Sequence, residues 1–126
     1  MLIDNSLYHV TPGQLDFWRA EVAKGDPTLL VMHIPFWQPG WSVATCACPT
    51  WGAATDPYWE IERRERWAEK LMPSTFEFRD AVLATPNLVG VFTGHEHCLQ
   101  FAHDRGKNFF GTPSNRTGLF LDVVVG

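Results

Sequence analysis

Two kinds of hydrophobic pattern run along this chain: short, continuously apolar stretches, and longer ones in which apolar residues recur every three or four positions. The first apolar pair, Leu2-Ile3, gives way at once to Asp4-Asn5-Ser6, which reads as the end of a strand entering a polar loop. So abrupt an opening leads us to expect that the domain begins upstream. Next, Thr11-Pro12-Gly13-Gln14 has the form of a capping box with proline at the first helical position. Leu15, Trp18 and Val22 then fall on one helical face, and Gly25 supplies a stop.

Thr28 to Ile34 (TLLVMHI) is too short and too evenly apolar for a surface helix, and it predicts a strand buried on both faces. His33 stands at its C-terminal end, and Pro35 closes it. From Phe36 to Tyr58 tryptophan, proline and glycine punctuate the backbone too heavily for long regular structure, so residues 36–58 read as an aromatic-rich loop insertion. Asp56-Pro57 starts a helix expected to reach about Met72, with Trp59, Trp67 and Leu71 on its apolar side. Ser74 with Glu77 forms a second capping box, opening a helix through about Thr85. Leu88 to Thr93 (LVGVFT) is another buried strand, and it runs straight into Gly94-His95-Glu96-His97. Further strands are expected at Cys98 to Ala102, Lys107 to Phe110 and Gly118 to Val125. This order predicts one α/β domain over residues 1–126, with a mixed sheet that ends in an antiparallel region.

Composition narrows the function classes. The net charge is -4, and opposite charges alternate, as in Glu60-Ile61-Glu62-Arg63-Arg64-Glu65-Arg66, so a nucleic-acid partner is not expected. No apolar run approaches the ~20 residues of a membrane span, so no membrane partner is expected either. Three cysteines, Cys46, Cys48 and Cys98, do not make a paired framework and leave the redox compartment open. Asn115-Arg116-Thr117 fits a glycosylation acceptor, a pattern that matters only in a secretory context.

The candidate chemistry lies in the histidines. His33 alone reads either as a hydrogen-bonded structural residue or as a ligand. His95 and His97, two residues apart on a turn beyond an apolar strand, can present nitrogen to one metal or to a close pair. Gly94 is expected to let the backbone turn sharply there. Both segments share one design, an apolar strand ending in histidine at its polar mouth.

Leu30-Val31-Met32-His33-Ile34-Pro35 and Gly90-Val91-Phe92-Thr93-Gly94-His95-Glu96-His97, in this order, resemble the later motifs of the calcineurin-like metallophosphoesterases, which include purple acid phosphatases and related phosphodiesterases. Ile3-Asp4 followed by Gln14-Leu15-Asp16-Phe17-Trp18 also looks like that family, so the likeness spans most of the chain. It implies the C-terminal half of a four-layer αββα sandwich and two-metal hydrolysis of phosphomonoesters or phosphodiesters. Carried over, His33 and His95 would ligate one metal and His97 the other, with zinc, iron or manganese as cofactors. The family's earlier motifs, Asp-x-His, Gly-Asp and Gly-Asn-His, do not occur in their places, so the resemblance implies an incomplete site. Gly25-Asp26 reads as a turn, not a bridging ligand. A single zinc held by all three imidazoles is an alternative arrangement.

Lesser candidates follow. Trp37 and Trp41, with Trp51, Tyr58 and Trp59, read either as the wall of a substrate pocket or as the packing of an inserted lid. Cys46 and Cys48 read as loop thiols, His103-Asp104 as an exposed strand-end pair, and Glu96 as facing solvent or a ligand's partner. A phosphoester is the expected substrate, and a half-sandwich with uncovered apolar surface is expected to form a homo-oligomer. The rival reading is a non-catalytic metal-binding or interaction domain on the same scaffold.

Overall fold

A computed structural model describes residues 1–7, 9–35, 72–95, 97 and 99–124. The aromatic-rich insertion with Trp37 and Trp41, the helix expected from Asp56, and Cys46, Cys48, Glu96 and Cys98 lie outside the described residues. The described elements run β1 (Leu2–Ile3), α1 (Pro12–Val22), β2 (Thr28–Met32), α2 (Pro73–Ala84), β3 (Leu88–Thr93), β4 (Gln100–Asp104) and β5 (Lys107–Gly111), followed by a 3-10 turn at Asn115–Thr117. The strands form one mixed sheet in the order β1-β2-β3-β5-β4. β1, β2, β3 and β5 are parallel, and β4 pairs antiparallel with β5 at the edge. The α/β class and the antiparallel end therefore stand as the sequence predicts.

Helix α1 begins where its capping box places it. Thr11 accepts from the Gln14 backbone N–H at 3.3 Å, and the Gln14 side chain accepts from the Thr11 N–H at 2.8 Å. Gln14 also donates to the Asp4 carbonyl at 2.6 Å, tying the helix start to the loop that leaves β1. Gly25, at φ +84°, turns the chain after the helix as a stop should. The second capping box is not formed. Helix α2 starts two residues earlier than Ser74 as N-cap would require, with Met72 as an N-cap that makes no side-chain bond and Pro73 in the first turn. The Ser74 hydroxyl instead donates to the Val10 carbonyl at 2.6 Å, and Thr75 accepts from the Val10 N–H at 2.9 Å. A tertiary contact to a loop that needed partners thus outcompetes the local cap.

Both helices cover one face of the sheet. Trp18 of α1 meets Phe78 of α2 edge-on, 5.6 Å between ring centroids, and both are fully buried. Beneath them lie Ile3, Leu30, Met32, Val91, Phe109 and Ala102, so each strand contributes to the core. Burying each large aliphatic side chain is worth about 1.5–3 kcal/mol, which makes this layer the main source of stability.

On the opposite face the described apolar residues are largely exposed, and here the expectation that β2 and β3 are buried on both faces fails. Leu2, Val31, Phe92, Phe110 and Phe101 are successive cross-strand partners, so one apolar row crosses all five strands. Leu2 is 72% exposed, Val31 42% and Phe101 61%. Phe92 stacks on Phe110 at 4.8 Å and nearly parallel. Continuous apolar sequence marks two faces that avoid water, but only packing decides which of them is covered. The last predicted strand, Gly118 to Val125, also fails: Ser114 caps the 3-10 turn, Gly118 takes the left-handed conformation, and residues 119–124 join no strand.

Candidate functional site

Four parallel strands deliver their C-terminal ends to one edge of the sheet, the edge at which α/β folds gather ligands. Asp4 and Asn5 follow β1, His33 follows β2, Gly94 and His95 follow β3, and Thr112 follows β5. The parallel ladder runs one step past the strands, because the Gly94 N–H donates to the His33 carbonyl at 3.0 Å. That bond holds the two histidine segments side by side.

The imidazoles converge. His33 Nε2 and His95 Nδ1 stand 3.2 Å apart, with ring centroids 5.0 Å apart and ring planes at 82°. His33 is open to solvent, whereas His95 is 6% exposed. Burial first, then the neighbouring charges of His33 and His97, push His95 down to about 4. It is therefore neutral at pH 7, the form in which imidazole ligates metal or accepts a proton.

Asn5 builds this corner. Its side chain is fully buried, donates to the Ile34 carbonyl at 2.8 Å, and accepts from the N–H groups of His33 and Ile34 at 3.0 and 2.9 Å. One amide thus satisfies three backbone groups of the chain that carries His33. Asp4, just before it, is exposed and accepts from the Ser6 N–H at 3.0 Å. Hydrogen bonds from the Ser6 hydroxyl and backbone, then the nearby charge of His33, hold the Asp4 carboxyl below its usual value.

The turn that carries the histidine pair is not made by glycine. Gly94 is absent from the left-handed region, where His95 (φ 65°) and His97 (φ 55°) both lie. Each places a bulky side chain in a conformation that costs about 1–2 kcal/mol, a cost met at sites where side-chain direction matters more than backbone comfort. The glycine at this position is instead a neighbour of Thr112 and His33.

Of the three predicted ligands, then, His33 and His95 are brought into contact, and His97 lies within electrostatic range of His95. Among the described residues, no group of three His, Cys, Asp or Glu side chains is arranged to hold a metal ion. His103 lies elsewhere, on β4, with Nδ1 2.9 Å from Asn108 Oδ1, and Gly25-Asp26 is a turn at the opposite edge of the sheet. A groove of about 740 Å³ between the C-terminal ends of α1 and α2 is also at that opposite edge, and none of the described histidines lines it. Sequence reasoning missed Asn5, whose only signal was an amide placed directly after a strand end. No protein-family model matches this chain, and comparison with curated proteins finds no match.

Proposed function

We propose that this chain is a metallophosphoesterase-like domain carrying part of a two-metal site, with His33 and His95 sharing one metal and His97 turned toward the other. The observation that carries this reading is the meeting of two imidazoles from the mouths of adjacent parallel strands. Two nitrogens bound to one zinc at about 2.0–2.1 Å stand roughly 3.0 Å apart at an octahedral angle and roughly 3.4 Å at a tetrahedral one. The observed 3.2 Å falls between these, a separation that a shared ion requires and that, with no ion, is a hydrogen bond between the two rings. Zinc, iron or manganese suits such nitrogen donors, and when bound supplies Lewis-acid polarisation of a phosphoryl oxygen. The chain's own part is to hold His95 neutral and His33 in place through Asn5, leaving the His33 side open for a phosphoester.

Half of a four-layer αββα sandwich is the architecture we attach to this reading. The open apolar face is where a second sheet would stack, about 10 Å away. With the carboxylate-bearing motifs absent from the chain, uptake of metal is expected to be weak and turnover low. Titration of zinc and manganese into the full chain tests this, with release of an aryl alcohol from an aryl phosphate as a second readout. Binding that drops at least tenfold in His95→Ala and in His33→Ala supports the shared site. Binding unchanged by both substitutions refutes it.

A second reading is a non-catalytic metal-binding or interaction domain on the same scaffold, favoured by the apolar row exposed across the sheet. Metal uptake without any metal-dependent hydrolysis separates it from the first.

A further inference from the structure

Asp4 stands opposite His33 on the neighbouring strand end, and the backbone fixes both side chains on one face. Ile3 pairs with Met32 in the parallel ladder. One step further on, Asn5 bonds the N–H groups of His33 and Ile34 and the Ile34 carbonyl. Asp4 and His33 are the residues held between these two pairings. Ile3, Asn5, Met32 and Ile34 are all buried, whereas Asp4 and His33 are exposed. Side chains alternate across a strand, so the carboxyl and the imidazole leave the sheet on the same side, from chains about 4.8 Å apart. Hydrogen bonds from Ser6, and after them the charge of His33, hold the Asp4 carboxyl below its usual value, in keeping with that spacing.

We propose that Asp4 is the oxygen ligand of the ion shared by His33 and His95. The proposal deepens the two-metal reading and rests on it. The Asp4 carboxyl accepts from the Ser6 N–H at 3.0 Å, a local and exposed contact that a stronger partner displaces at small cost. Turning toward the imidazoles takes a change of side-chain rotamer and no movement of the backbone. Two neutral imidazoles leave a divalent ion short of donors and with its charge unreduced. One carboxylate supplies both a hard oxygen and a negative charge. Two nitrogens and one oxygen on one side of an ion leave its other positions for water and a phosphoryl oxygen. This donor set suits manganese or ferrous iron better than two imidazoles alone, because carboxylate oxygen favours the harder ions. The plain alternative is a local Asx turn at a strand end, which gives the carboxylate no part in metal binding.

Titration of manganese(II) into the full chain, followed by loss of the free ion's electron paramagnetic resonance signal, tests it. Asp4→Asn keeps an acceptor for Ser6 and loses the charge. It is expected to weaken binding at least tenfold, while its melting temperature stays within about 4 °C of wild type. The ratio between the two chains is expected to persist at ~1 M salt, where a nearby charge is screened beyond about 3 Å and a coordinated oxygen is not. Binding by Asp4→Asn within about twofold of wild type overturns the proposal. So does a loss that disappears at high salt, which would make Asp4 a neighbouring charge and not a ligand. In both cases a tenfold loss in His95→Ala leaves the shared histidine site standing. A wild-type chain that takes up no manganese(II) also overturns the proposal, and zinc uptake lost in His95→Ala would then preserve the histidine site without it.

Discussion

Replacing Asn5 by alanine tests how the site is held. The amide makes three hydrogen bonds to backbone, two of them to the fully buried Ile34. Each bond is worth about 1 kcal/mol net, and a buried backbone group left without a partner costs about as much again or more. Some of the vacated space admits water, so the loss is about 3 kcal/mol, a large share of the 5–15 kcal/mol expected for a domain of this size. At an unfolding entropy of about 2.1 cal/mol/K per residue, that shifts the melting temperature by about 11 °C. Thermal unfolding followed by circular dichroism measures it. Asn5→Asp, which keeps the acceptor oxygens and loses the donor to Ile34, is expected to fall between alanine and wild type. Asp4→Ala, next door but exposed, is expected to cost under about 1 kcal/mol. The alanine substitution is also expected to weaken metal binding although Asn5 is no ligand, because the segment bearing His33 loses its anchor. If Asn5→Ala melts within about 4 °C of wild type, the three bonds contribute nothing and the account of this corner is wrong.

Acid sensitivity should come from His95. Its value is lowered from 6.5 to about 4 in the folded chain, so the unfolded chain takes up the proton first as pH falls. Stability is therefore unaffected above pH 6.5, declines from there toward pH 4, and has fallen by on the order of 3 kcal/mol at pH 4. Denaturant melts across that range, compared with His95→Asn, should show the slope in wild type alone, since asparagine tolerates the left-handed backbone and does not titrate. Gly94→Ala is expected to change stability by under about 1 kcal/mol: the added carbon would sit 3.6 Å from Thr112 Oγ1 and 3.9 Å from His33 Nδ1, ordinary contact distances. His97→Gly relieves a left-handed histidine and is expected to hold or raise the melting temperature while reducing metal uptake. A clear loss of stability in that variant would show that the His97 side chain contributes more than its backbone costs.

Local signals were decisive where the chain's neighbours in sequence are also its partners. Thr11 and Gln14 close their capping box, Gly25 turns left-handed, and the apolar runs at Thr28 and Leu88 become core strands with histidine just past their ends. Strand polarity follows from the same pattern, since each apolar run is separated from the next by a crossover long enough for parallel pairing. That is why a site at one edge of the sheet was legible before any coordinates. Three matters were settled only by tertiary packing. Ser74 abandoned its predicted cap because the Val10 carbonyl, 64 residues away, required a donor. Among the described residues the two helices cover one face of the sheet, and an apolar run does not encode which face that is. Asn5 became the keystone of the His33 corner through contacts 28 and 29 residues distant, which no local spacing reports. Periodicity fixes which residues avoid water, and long-range pairing fixes what they meet.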